Sequence, residues 1–451
     1  MHDMDMTEGN LFKKLLFFSV PVMISSIIQL LFNACDLIVV GNFAGNDSLA
    51  AVGSTTALIN LIVNLFIGFS IGANVATAKA VGANDYEKCQ RVVHTSMLFS
   101  FFAGIVLMIF GYLTSGIWLS LMDTTIEALP KATIYLQIYF LGMIFNMVYN
   151  YGAAILRAVG ETKKPLLFLF IAGVINILLN LLFVIVFKMD VSGVALGTII
   201  SEGVSSVLVV ICLVRREGFI NLNFKKLRIH LKELKEIVLI GLPAGIQGAL
   251  FSISNVFVQK AVNSFSSTEI VAGNTASSNI ESFVYSSMNA VYQACLSFTS
   301  QNLGAGKIKN CRKVLIYSLI LVTTIGVVLG GGAVLLDNQL LRLYTQSDEA
   351  LKYGMLRLKI ICLPYFLCGI MDVIVGGLRG LEYSFVPMIV SIGGVCVFRL
   401  IWIYTIFNYY HDLSILYWSY PISWLMTLTI HLICYFVIYK KLLVRFNINK
   451  N

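Results

Sequence analysis

The sequence predicts an all-α membrane protein of twelve transmembrane helices, built as two pseudo-symmetric six-helix halves. Three observations predict it. The 451 residues are 58% hydrophobic and only 12% charged, with a mean hydropathy of +0.84, far from the quarter-charged balance of soluble domains. Twelve stretches are long and apolar enough to cross roughly 30 Å of hydrocarbon. An offset of 222 residues superposes Pro21 on Pro243, Asn33 on Asn255, Gly82-Ala83 on Gly304-Ala305, Cys89 on Cys311, Arg157 on Arg379 and Pro165 on Pro387. Four of only seven prolines pair at this one offset, so the chain reads as two copies of one half, as in many secondary transporters.

The first half runs as follows. Span 1, 15–40, follows Lys13-Lys14 and carries Pro21 and Asp36; it is too long for a secretory leader and lacks a small-residue cleavage pattern. Span 2, 50–76, has Gly68 and Gly72, a small-xxx-small spacing that lets helices approach closely. Span 3 is 92–118 and span 4 is 132–156, the latter ending on Asn150 and a basic loop of Arg157, Lys163 and Lys164. Span 5, 166–187, places Asn176 and Asn180 four apart, hence on one helix face. Span 6, 193–214, holds Gly193, Gly197, Thr198 and Glu202.

The stretch 215–235 is the most charged in the chain and reads as a cytoplasmic linker, partly helical, lying along the membrane surface. It divides the chain into 1–214, an N-terminal lobe with spans 1–6, and 236–451, a C-terminal lobe with spans 7–12. Span 7, 236–262, has Gly241, Pro243 and Gly245; span 8, 270–299, has Glu281; span 9 is 314–336. Span 10, 353–378, contains Pro364 and Asp372, span 11 is 386–409, and span 12 is 414–438. Pro21, Pro243 and Pro364 are expected to kink their helices, the first two as hinges. Lys260, Arg357, Lys359 and Arg399 are the basic counterparts of the acids within spans, several of them near span ends from which a long side chain can snorkel. Long apolar runs without alternation exclude a β-barrel.

With the N-terminus inside, inner segments hold 24 Lys and Arg against 4 outside, Lys450 among the inner ones. Both termini are therefore expected in the cytoplasm of a cell-membrane protein. The net charge of +9 follows from this sorting and from anionic lipid, with no nucleic-acid partner expected. The nine cysteines form no CxxC pair, and the five histidines no HExxH, so neither disulfides nor zinc are expected. A GxxxxGK[ST] loop is missing, which argues against transport driven by ATP within this chain.

Carboxylates within spans are costly and usually face a polar interior. The 222 offset places Asp36 on Val258 and Asp372 on Asn150, so the scaffold is duplicated and these acids are not. Such asymmetry points to function. Asp36 with Asn176, Asn180 and Thr198 offers the carboxylate, amide and hydroxyl oxygens that Na⁺ accepts, and the carboxylate alone suits H⁺. Asp372, with Gln29 and Asn150, is expected to line a substrate cleft.

The segment Thr7–Gly53 resembles the opening of the multidrug and toxic compound extrusion (MATE) transporters. Leu156–Pro165 and Gly377–Pro387 are similar to that family's paired loops after spans 4 and 10, and Gly241–Asn255 to its span 7. The resemblance covers about 7–440. It implies two lobes forming a V-shaped cleft that opens to one membrane face at a time. The activity it implies is export of organic, cationic or amphipathic compounds against inward Na⁺ or H⁺, with no other cofactor, by a monomer that is not an enzyme. Asp36 matches the family's span-1 acid and Pro21 the associated bend; Asn176, Asn180 and Thr198 match its N-lobe cation site, although some relatives carry Asp at Asn180. Asp372 matches the span-10 acid of the NorM-like branch, whose span-7 glutamate is missing here. The alternatives are a lipid-linked oligosaccharide flippase of the same architecture, a polytopic membrane enzyme and a channel. Few cleft-facing cations and twelve spans argue against the first, the lack of clustered His, Asp or Glu against the second, and the lobed repeat against the third.

Overall fold

The computed structural model describes residues 4–44, 46–122 and 128–448; Lys450 lies outside them. Every expected span falls on a helix, and no strand occurs among the described residues. In order these are α1 (Leu11–Phe43), α2 (Asn46–Gly82), α3 (Tyr86–Leu121), α4 (Leu129–Leu141), α5 (Met143–Ala158), α6 (Lys163–Leu181) and α7 (Asp190–Arg215). The second series is α8 (Leu231–Asn263), α9 (Thr268–Gly304), α10 (Ile308–Leu335), the short α11 (Asp337–Arg342), α12 (Asp348–Cys362) and α13 (Phe366–Gly380). It ends with α14 (Phe385–Tyr410) and α15 (Leu413–Ile448). Helices suit these residues because hydrocarbon offers backbone groups no partner, and a helix satisfies them internally. Entry points carry side-chain caps: Asp85 accepts from Lys88 N, Ser267 from Ile270 N and Ser347 from Ala350 N.

Nine helices among the described residues are long and apolar enough to cross a membrane, and two bent pairs bring the number to eleven. The twelfth expected span is α9, which is 37 residues long but polar along its buried side, with Asn274, Ser277, Ser287, Ser297 and Gln301 all buried. Its polarity is why hydropathy alone misses it. Exposed surfaces show the reverse pattern: Leu113 of α3 is 70% exposed and Val328 of α10 63%, as lipid-facing side chains are.

The repeat is written in the backbone. Adding 222 to the ends of α2 gives the ends of α9. Asn84 and Gly306 share a positive φ (53° and 69°), and so do Gly160 and Glu382 (81° and 70°). The chain bends by 48° between α4 and α5, at Gly142, and by 44° between α12 and α13, at the equivalent Pro364. Pro364 therefore sits at a kink, as expected, but the copy without proline bends just as much. Packing against neighbouring helices sets the bend, and proline is only compatible with it.

Contacts divide the chain into two units. Unit 1 comprises Met1–Asp5 and Ile24–Gly245; unit 2 comprises Met6–Met23 and Ile246–Asn451. Both changeovers lie inside helices, α1 and α8, two residues beyond Pro21 and Pro243, and they are 222 residues apart. In unit 1, α3 packs on α4 and α5, α2 on α3 and α5, and α7 on α4, α5 and α6, around Phe140, Met143, Met147, Tyr151 and Ile155. The basic stretch 215–235 packs here too. Asn223 N donates to His94 Nε2 (3.1 Å) and His230 N to Thr95 Oγ1 (3.1 Å), while Arg91 pairs with Glu233 (2.7 Å). The first part of α8 lies on α2 at a glycine-lined contact: a Cβ on Gly68 or Gly245 would overlap backbone atoms of the other helix. In unit 2, α9 packs on α10, α12 and α13, and α15 on α12 and α13. Met6 is fully buried there, donating from its N to Gln301 Oε1 (3.2 Å) and accepting on its O from Asn302 Nδ2 (2.9 Å).

Candidate functional site

Unit 1 has a polar interior made from pairs of residues four apart. Such spacing stacks two side chains on one helix face. The pairs are Tyr135 and Tyr139 on α4, Asn146 and Asn150 on α5, Asn176 and Asn180 on α6, and Thr198 and Glu202 on α7. Asp36 joins them from α1.

The four residues expected to bind a coupling ion form one hydrogen-bonded chain. Asn180 Nδ2 donates to Asp36 Oδ1 (2.5 Å) and to Asn176 Oδ1 (3.3 Å). Asn176 Nδ2 makes a longer contact to Thr198 Oγ1 (3.4 Å), and the Thr198 hydroxyl donates to Val194 O (3.0 Å). Asn176 and Asn180 are buried, 5% and 1% exposed. No Lys, Arg or His pairs with Asp36 among the described residues. The Asn180 carbonyl oxygen is buried without a hydrogen-bond partner, pressed against Gly197, where any Cβ would collide with it. An orphaned carbonyl oxygen is costly. Turning the amide would aim that oxygen at Asp36, where a protonated carboxyl can donate to it or a cation can bind both oxygens. The donor set therefore fits either H⁺ or Na⁺ as cargo.

Asn150 belongs to a second network of unit 1. Its Nδ2 donates to Asn146 O and Oδ1 (2.9 and 3.0 Å), and Asn146 Nδ2 donates to Glu202 Oε1 (2.8 Å). Gln29 is an exposed residue of α1 in the same unit. Asp372 lies on α13 in unit 2, with Tyr285 of α9 and the Arg379 guanidinium within electrostatic reach.

Unit 2 sorts the four basic residues of its spans. Arg357 and Arg399 do not snorkel: each is 5% exposed. Arg357 Nη2 pairs with Glu281 at 2.6 Å, and Nη1 reaches Ser277 Oγ at 3.4 Å. Arg399 lies over the Tyr420 ring at 3.9 Å and the Trp424 ring at 5.9 Å, with Nε on Ser423 Oγ (3.3 Å). Arg379 is equally buried, held by Tyr292 Oη (2.7 Å) and Gln247 Oε1 (2.8 Å). A guanidinium enters an interior when rings and acceptors compensate its lost hydration. Lys260 and Lys359 are exposed, as their expected role requires. Sequence reasoning left Tyr135, Tyr139 and Asn146 unassigned; their four-residue spacing with other polar residues was the available signal.

Residues 21–182 and again 243–405 match the sequence profile of the MatE family, two matches whose starts are 222 apart. The chain is 26% identical to YpnP of Bacillus subtilis (strain 168), a probable multidrug resistance protein, over 83% of this chain and 84% of that one. It is 24% identical to NorM of Thermotoga maritima, also a probable multidrug resistance protein, over 86% and 84%. An outward-facing multidrug resistance MATE family transporter of the MOP superfamily has the same fold, with a TM-score of 0.91, 22% identity, and coverage of 98% of this chain and 99% of that one. A MOP superfamily transporter from Pyrococcus furiosus, described as having a binding pocket of reverse polarity, aligns at 0.86 with 22% identity over 98% and 97%.

Proposed function

The chain belongs to the MATE family, and on that premise we propose that it is a secondary multidrug exporter, an antiporter that exchanges H⁺ or Na⁺ for organic compounds by alternating access. The observation that carries this reading is the half-buried chain Asp36–Asn180–Asn176–Thr198, an acid with no basic partner among the described residues. From the outside, H⁺ or Na⁺ enters at Asp36. Losing that negative charge weakens the hydrogen bond from Asn180 Nδ2, so α1 repacks and the bound compound leaves outward. The ion then departs to the cytoplasm as the protein returns, bending at Pro21 and Pro243. A ligand drives such a cycle only through its differential affinity for the two states. Asp372 contacts the compound and favours cationic ones; Gln29 and Asn150 line its path. The protein works as a monomer in the cell membrane, with both termini cytoplasmic.

The test uses purified protein in proteoliposomes, with a cationic dye and an imposed pH or Na⁺ gradient. Asp36→Asn is expected to insert normally and to lose gradient-driven transport. Normal transport by that variant overturns the proposal, and comparing the two gradients identifies the ion. Arg399 favours a second reading of the substrate. Its partners are rings and a hydroxyl, with no carboxylate within ion-pair distance among the described residues, which suits an anionic group on the cargo. Faster transport of zwitterionic than of purely cationic dyes, lost in Arg399→Leu, would support it.

A further inference from the structure

We propose that Glu202 is a second proton-binding carboxylate of unit 1, one helical turn along α7 from Thr198, loaded and unloaded in the transport cycle separately from Asp36. The inference rests on the efflux reading above and adds a site to it.

Glu202 lies mid-helix in α7, a span, where an ionised carboxylate is costly unless something compensates it. Its one hydrogen-bond donor among the described residues is Asn146 Nδ2 at 2.8 Å. No Lys, Arg or His pairs with it among the described residues, in contrast to Glu281 on Arg357 in unit 2. The polar groups around it come from several helices: Asn146 and Asn150 from α5, Tyr135 and Tyr139 from α4, and, farther off, Asp36 from α1. On the side of α6 the polar groups are Asn176 and Asn180, and on α7 itself Thr198. None of these is basic. The stacked Tyr135 and Tyr139 rings, 6.3 Å apart, stand within electrostatic reach of both acids.

Chemistry separates this site from the Asp36 site. Around Glu202 the first neighbour presents an N–H, and Asn146 Oδ1 is already taken by Asn150 Nδ2. Oxygens that would cage a metal cation do not converge there. A proton needs no cage. It neutralises the carboxylate while one oxygen keeps the Asn146 hydrogen bond. An ionised carboxylate within a span is costly without a basic partner, and a bound proton removes that cost. The bland alternative is that Glu202 merely ties α7 to α5 by its hydrogen bond to Asn146. Glutamine would serve that purpose equally, since its carbonyl oxygen accepts the same bond.

Glu202→Gln therefore separates the two roles. Reconstituted wild-type protein, Glu202→Gln and Asp36→Asn are compared by infrared difference spectroscopy across a pH jump, and by the pH gradient that just balances an opposing dye gradient. The expected result is a carboxyl carbonyl band that disappears in Glu202→Gln and persists in Asp36→Asn, with the protons moved per dye reduced to about half. Should Glu202→Gln fail to insert, Glu202→Asp keeps a carboxyl one methylene shorter and is expected to retain the band, shifted, with wild-type stoichiometry. An unchanged band pattern and unchanged stoichiometry in Glu202→Gln overturn the inference while leaving the efflux reading intact. Loss of stoichiometry without loss of a band also overturns it, because Glu202 would then act through packing. Full gradient-driven transport by Asp36→Asn sinks the efflux reading instead.

Discussion

The ion pair of Glu281 and Arg357 permits a quantitative test of how unit 2 carries charge inside a membrane. Arg357 is 5% exposed, and its Nη2 stands 2.6 Å from Glu281 Oε2. At that separation two unit charges attract by about 6 kcal/mol if the effective dielectric constant is ~20. Desolvation of both groups cancels much of this gain, so the pair contributes little net stability against an apolar pair of similar volume. Removing one partner is different, because the other charge stays buried without its counter-ion. Glu281→Leu and Arg357→Met are each expected to cost about 3–5 kcal/mol. The combined Glu281→Leu/Arg357→Met variant should recover most of that, short of about 1 kcal/mol for the lost Ser277 contact. The assay is reversible unfolding in mixed detergent micelles, followed by tryptophan fluorescence. Strictly additive losses would refute the reasoning, since coupled charges cannot be additive. So would single variants within about 0.5 kcal/mol of wild type.

Four further outcomes follow from particular contacts. Gly68→Ala is expected to lose several kcal/mol or to fail to insert, because its Cβ overlaps the α8 backbone; Gly331→Ala, whose Cβ meets nothing, should gain up to about 1 kcal/mol. Thermal aggregation in detergent separates the two. Glu382→Gly relieves a φ of +70° and should stabilise by about 1 kcal/mol, whereas Gly160→Ala at the equivalent turn should destabilise by a similar amount, measured as above. Arg399→Lys keeps the charge but loses the planar stacking on Tyr420, at a cost of about 1–2 kcal/mol read from the same unfolding curves. Asn180→Ala removes the donor to Asp36 and should impair gradient-driven dye transport about tenfold, corresponding to one lost charge-assisted hydrogen bond.

Much of the fold was legible because a bilayer imposes simple rules. Apolar runs had to be helices, and the prolines and turn residues had to fall together once the repeat was found. The backbone bears this out at Asn84 and Gly306, and at Gly160 and Glu382. Where the sequence spoke less clearly, two structures shared one signal. Proline marks the bend at Pro364, but nothing marks its counterpart at Gly142, because that bend is imposed by the helices around it. The candidate ion site was legible as a set of residue types, and the helices assemble all four into one chain. Which of the basic residues turn inward was not legible, for a definite reason. Whether a basic residue reaches the interface or turns inward depends on what faces it, and Glu281, Tyr420 and Trp424 lie far away in sequence.

The repeat also explains why the two units carry opposite interiors. The 222 offset places Tyr135 on Arg357, and Thr198 and Glu202 on Tyr420 and Trp424. The same stations of one scaffold thus hold an amide-lined pair of acids in unit 1 and ring-stacked guanidinium groups in unit 2. In unit 1 neither Asp36 nor Glu202 has a basic partner among the described residues, so a proton or cation is what can neutralise them. In unit 2, Glu281 already has Arg357, and Asp372 has Arg379 within reach. A carboxylate with a fixed counter-ion gains less from an incoming proton than one without. On the proposed reading, ion coupling falls to the half whose acids were left unpaired, and the half whose acids are already balanced keeps its charges through the cycle and presents them to cargo.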